Sequence, residues 1–187
     1  TEPDFAECSA EECMRAVAAD LRGMPFYDAL LARIRTFPAE EVVDLACAHL
    51  QENRDLLGVD YLTRLMADLG HEAFIAPLIG CLEREAPEFL ILAAEKALQR
   101  FGEPAGHALI EAWEQLDSFG RISAIHVIGY TLGEAAAPHF VRCYPEMREN
   151  DLGSWCVAAC AVHDPALLGV LAPALHRRHP EIDEAFL

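Results

Sequence analysis

"LAAEKALQRFGEPAGHALIEAW", residues 92–113, divides at Gly102 into two short helical patterns. Leu90, just ahead of it, and then Ala94, Ala97, Leu98 and Phe101 recur at the intervals that place apolar side chains on one helix face. Gly102 suits the left-handed residue that ends a helix. Pro104 follows where a first helical turn has no amide bond to lose, and Glu103 suits the positive end of the helix dipole. The stretch reads as a helix, a tight turn and a second helix.

The same pattern recurs along the chain. "ACAHL" (46–50), "LIGCL" (78–82), "LIEAW" (109–113), "FVRCY" (140–144) and "LAPAL" (171–175) align. Their final residues, Leu50, Leu82, Trp113, Tyr144 and Leu175, are spaced by 32, 31, 31 and 31. A turn precedes each block: Phe37-Pro38, Leu69-Gly70-His71-Glu72, Phe101-Gly102-Glu103-Pro104, Leu132-Gly133-Glu134-Ala135 and Val162-His163-Asp164-Pro165. No stretch alternates with the period of a strand. A hairpin of this length cannot bury its apolar face alone, so neighbours must stack.

The expected fold is all-α, a right-handed α-solenoid of about five helical hairpins in a single domain, 1–187. The hairpins occupy 26–57, 58–86, 87–117, 118–149 and 150–187. Residues 1–25 supply an N-terminal capping helix over 9–22, with "GMP" as the break before the first hairpin.

The stretch opened above and "AIHVIGYTLGEAAAPHFVRC" (124–143) resemble the short HEAT-like repeat family, also called the PBS-lyase type. The likeness is good over 58–179 and weak over 26–57. It implies an α-solenoid that mostly holds partners, although the family includes bilin-attachment proteins, a DNA glycosylase branch and deoxyhypusine hydroxylase. The hydroxylases carry His-Glu pairs within several first helices. Here those slots hold Leu92-Ala93 and Ile122-Ser123, so the di-iron ligand set is missing. His71-Glu72 occupies the turn slot of Glu103, Glu134 and Asp164 and reads as a variant helix start.

Composition narrows the function. The formal net charge is -17, and Lys96 is the single lysine. Nucleic acids and anionic membranes would be repelled, whereas a basic protein partner would be attracted. Every apolar run is interrupted before the roughly 20 residues of a membrane span, and "TEPDFAECSAEEC" lacks a basic signal region. Seven cysteines without dense pairing suit thiols in a reducing compartment, so a cytoplasmic protein is expected.

Catalytic motifs are absent. Ser9, Ser118, Ser123 and Ser154 sit in no nucleophile elbow, and no glycine-rich phosphate loop follows a strand. Cys81 and Cys143 share a slot with Ala112 and Ala174, as small hydrophobes near a packed seam do. Cys156 and Cys160 lie four apart on one helix, in register with His126 and Glu95 of preceding first helices. They are the weak metal candidates, since neighbouring helices roughly 8 to 10 Å apart bring three such ligands together only with difficulty. Neither an enzyme nor a cofactor is expected.

A surface remains. In solenoids of this kind the second helices line the concave side. The slot two before each marker (Ala48, Gly80, Glu111, Arg142, Pro173) and the slot one after it (Gln51, Glu83, Glu114, Pro145, His176) should face outward. The groove is acidic at first, then basic near Arg142, Arg148, Arg177 and Arg178. Trp113 and Tyr144 are either aromatic anchors for a partner or core fillers between repeats. The expected function is a non-catalytic protein-binding scaffold or adaptor that uses Glu83, Glu111, Glu114, Arg142, Trp113, Tyr144 and His176 against a basic helix or peptide. The alternatives are an assisting subunit for chromophore or metal chemistry, and an acidic inhibitor or immunity protein that blocks a basic site.

Overall fold

Four backbone turns carry a positive φ among the described residues, and they recur with the period of the sequence: Gly70 (71°), Gly102 (66°), Gly133 (52°) and His163 (57°). A left-handed residue after a helix lets the orphaned carbonyls of its last turn find donors; the Gly70 amide, for example, donates to the Met66 carbonyl. His163, after α10, takes a positive φ without glycine's freedom, a conformation that other residues adopt rarely.

The computed structural model describes residues 5–19, 26–53, 58–83, 85–146, 152–170 and 172. Its regular elements are all helical. They are α1 (Ala10–Ala19), α2 (Tyr27–Ile34), α3 (Ala39–Glu52), α4 (Val59–Leu69), α5 (Ile75–Ile79), α6 (Glu88–Phe101), α7 (Glu103–Ala112), α8 (Ser118–Leu132), α9 (Ala137–Cys143) and α10 (Leu152–Val162). Short 3-10 turns lead into α5 and α9 and follow α7 and α9. No helix among the described residues is long and apolar enough to cross a membrane. The chain divides into two compact units, Thr1–Phe101 and Gly102–Leu187, at the turn inside the repeat of residues 87–117.

In the first unit α4 packs on α6, α5 on α6, and α1 against α2, α3 and α4. The expected N-terminal helix is present as α1, while the "GMP" break lies outside the described residues. Ser9 opens α1 through a reciprocal cap: the Glu12 amide donates to Ser9 Oγ at 3.3 Å and the Ser9 amide to Glu12 Oε2 at 2.9 Å. Met14 and Val17 of α1, Leu62 and Met66 of α4, and Leu90, Ala94 and Leu98 of α6 are buried in this unit's core. Gly58 lets α1 and α4 approach, because a Cβ there would lie 2.3 Å from the Ala18 carbonyl oxygen.

In the second unit α8 lies against both α7 and α10. Its length is buried on several sides through Ser123, Ala124, Ile125, Val127, Ile128 and Gly129, as befits a helix with neighbours on two flanks. Asp117 caps it by accepting from the Gly120 amide at 2.7 Å. Trp113, Phe140 and Trp155 fill the rest of that interior.

Candidate partner-binding surface

The repeat register decides which second-helix side chains reach solvent. Leu50, Leu82 and Trp113 are buried, and Tyr144 is half-buried against the Trp155 ring at 5.0 Å. Leu175 lies outside the described residues. The slots flanking these markers behave uniformly: Ala48, Gln51, Gly80, Glu83, Glu111, Glu114, Arg142 and Pro145 are all exposed. A helix that turns its marker inward must turn residues two before and one after it outward, since each lies well round the circumference. Of the expected binding residues, His176 lies outside the described residues, as do Pro173, Arg148, Arg177 and Arg178.

In the first unit, the face between α3 and α5 forms a cleft of about 230 Å³ lined by Leu50, Gln51, Pro77, Gly80, Cys81 and Glu83. A second hollow of about 440 Å³ opens between the start of α3 and the turn before α5, and Glu40, Asp44, His71 and Glu72 line it. His71 stands at the N-cap position without a side-chain capping bond, and its ring lies 5.9 Å from that of Phe74. Glu72 begins the helix beyond it and is exposed. Carboxylates therefore cluster on the second-helix side of this unit.

In the second unit the same slots are tied into a network. Arg121 donates to Glu146 Oε2 at 2.9 Å and lies 3.4 Å from Glu114 Oε2; its Nε donates to the Trp113 carbonyl at 3.1 Å. The Trp113 indole N–H donates to Glu146 Oε2 at 3.2 Å, and the Arg121 guanidinium sits 5.3 Å from the Trp113 ring centre. Trp113 is thus an interior residue and offers no face to a partner, which corrects its expected use as an anchor: its indole is spent on Glu146 and on an edge contact with His139 at 4.6 Å. Arg142 donates to His139 Nδ1 at 3.2 Å while remaining exposed. Burial, reinforced by the Arg142 charge, lowers His139 to about 4. The ring is neutral at ordinary pH, with Nδ1 as acceptor.

The weak metal candidates do not assemble. His126 and Cys156 are half-buried and Cys160 is exposed, and no three His, Cys, Asp or Glu side chains among the described residues come together as a metal site would require. None of the seven cysteines is in a disulfide. Cys81 and Cys143 are buried in their shared slot, their thiols donating to the Pro77 and Phe140 carbonyls at 3.4 and 3.5 Å. Burial pushes the Cys143 thiol up to about 11.

One cluster is not anticipated by the marker slots. Asp68 accepts hydrogen bonds from the Tyr27 hydroxyl and from Arg100, and Arg64 Nε lies 3.6 Å away. Arg35 donates to the Asp68 carbonyl at 2.9 Å, and Arg64 lies over the Tyr27 ring at 4.6 Å. Partial burial works to raise the Asp68 carboxyl, but Tyr27, Arg100 and Arg64 outweigh it and hold it below the usual range. A signal was available: Arg64 and Lys96 stand six residues before the turn glycines Gly70 and Gly102, and Asp68 and Arg100 stand two before them. Equal slots on adjacent first helices become neighbours once those helices pack. Comparison with family models, with curated proteins and with solved structures finds no match to this chain.

Proposed function

We propose that this chain is a HEAT-like α-solenoid scaffold, without catalytic activity, that holds a basic helix or extended segment of a partner protein on the acidic faces of its second helices. The observation that carries the reading is the exposure of the two slots flanking the buried markers, which leaves Glu83 in the first unit and Glu111 and Glu114 in the second each open to solvent. The acidic hollow lined by Glu40, Asp44 and Glu72 extends that polarity, and a net charge of -17 steers a cationic partner toward the chain. An inhibitor of a basic nucleic-acid-binding site would use the same carboxylates.

The test reverses Glu83, Glu111 and Glu114 together to lysine and follows binding of a labelled basic amphipathic peptide at low and high salt, with circular dichroism confirming the helices. Exposed substitutions shift stability by only about half a kcal/mol each, whereas lost charge complementarity costs several kcal/mol of affinity in a salt-dependent way. Equal affinity of wild type and variant at both salt concentrations would remove the second-helix faces from the reading. Competition by duplex DNA for a captured natural partner would mark the inhibitor variant.

A further inference from the structure

One hollow on the first-helix side of the first unit gathers the opposite charge. Between α4 and α6 lies a trough of about 610 Å³ whose floor is set by Ala67, Ala93 and Ala97 and whose apolar wall is Phe89 and Leu92. Leu92 is 48% exposed, the one large aliphatic side chain of α6 left facing solvent. Three cations line the same trough: Arg64 from α4, Lys96 and Arg100 from α6. In an acidic chain with 14 basic residues against 31 acidic ones, three converging on one hollow is a pronounced local inversion of charge. Asp60 also lines it, and Asp68 holds Arg64 and Arg100 in place. Lys96 pairs with no carboxylate among the described residues, and both arginines remain at least half exposed, at 58% and 50%.

Length narrows the occupant. The α6 lining runs from Phe89 to Arg100, three helical turns or about 16 Å of wall, faced by two turns of α4 from Asp60 to Ala67. A two-walled apolar trough of that length suits a short helix or extended segment, with side chains on the floor and charges meeting the rim. We propose that this trough docks an amphipathic acidic segment of a partner protein, with large apolar side chains over Leu92 and Phe89 and carboxylates paired to Arg64, Lys96 and Arg100. Charge-assisted hydrogen bonds to guanidinium groups already positioned by Asp68 supply orientation, and the apolar floor supplies area. The inference stands apart from the basic-partner reading: it uses different helices, and the two together would let one chain bridge partners of opposite charge.

The experiment measures fluorescence anisotropy of the full chain with a labelled synthetic peptide of about four helical turns, leucines on one face and glutamates flanking them. The same peptide with glutamine for glutamate and the small carboxylate decanoate serve as controls. The glutamate peptide should bind, its glutamine counterpart should bind more weakly, and Lys96→Glu or Leu92→Ser should each weaken binding about tenfold with the helical spectrum unchanged. Reversal of Glu83, Glu111 and Glu114 should leave this affinity intact. Equal binding by Lys96→Glu, or saturable binding of decanoate without binding of the peptide, would overturn the proposal, the latter in favour of a small-ligand pocket.

Discussion

Arg121 reaches from the first turn of α8 to Glu146, beyond the end of α9, donating through Nη1 to Oε2 at 2.9 Å. The same guanidinium holds the Trp113 carbonyl and lies beside Glu114, so one cation closes the ends of two second helices over a buried indole. Arg121→Ala removes the charged donor to that carbonyl, which keeps the Leu116 amide at 3.3 Å, and leaves Glu146 with the indole N–H alone. The expected loss is about 1 to 3 kcal/mol of stability, measured by urea unfolding, since a partly buried carbonyl loses a charged donor. A change below a few tenths of a kcal/mol would reduce the network to a surface ion pair of little consequence.

Leu82 is a marker side chain with no exposed surface. Truncation to alanine should cost roughly 2 to 5 kcal/mol through lost burial and the cavity left behind, read as a lowered midpoint at unchanged denaturant slope. A loss below about half a kcal/mol would mean that the marker does not seat in the core as the register requires.

Gly58 tests the docking of α1. A methyl group there meets the backbone oxygen of Ala18 at 2.3 Å, and a backbone group moves only with its helix. Gly58→Ala should therefore destabilise by about 1 to 3 kcal/mol, the more so because alanine is the poorer residue at the N-cap of α4. Hydrogen exchange should localise the loosening to Ala10–Ala19. Wild-type stability together with unchanged exchange in α1 would refute that docking.

His139 supplies a pH dependence. Its folded pKa of about 4 lies below the ordinary value of 6.5, because burial and Arg142 disfavour the imidazolium. Above 6.5 both states hold the neutral ring and no penalty applies. As pH falls from there toward 4 the unfolded chain gains a proton that the native state refuses, and stability declines by roughly 3 kcal/mol across the window. His139→Phe should flatten the stability profile between those values. An unaltered slope in the variant would assign the acid sensitivity to other groups.

Much of the fold was legible because its signals are local. Apolar residues at helical intervals, an acidic or proline residue opening a helix and a glycine closing it all act within a few residues, so the helices and the turns at Gly70, Gly102 and Gly133 could be read from the chain. The inward and outward slots followed from the same period, which is why Glu83, Glu111 and Glu114 were found on the surface where the spacing put them. The amino-acid sequence by itself determined the all-helical character of the described residues and the phase of the second helices among them.

Only the tertiary structure decided what crosses between helices. Trp113 and Tyr144 occupy one repeat slot, yet Trp113 is sealed beneath Arg121 and beside His139 while Tyr144 stays half-exposed on Trp155. Asp68 meets Tyr27, 41 residues away, and Arg100, 32 residues away. Helical periodicity states which way a side chain points but not how far its helix is offset from the next, and hydrogen bonds fail over fractions of an ångström. The trough of Arg64, Lys96 and Arg100 depends on that offset: Arg64 and Lys96 share one repeat slot, Arg100 takes the slot of Asp68, and the packing of α4 on α6 makes them one surface.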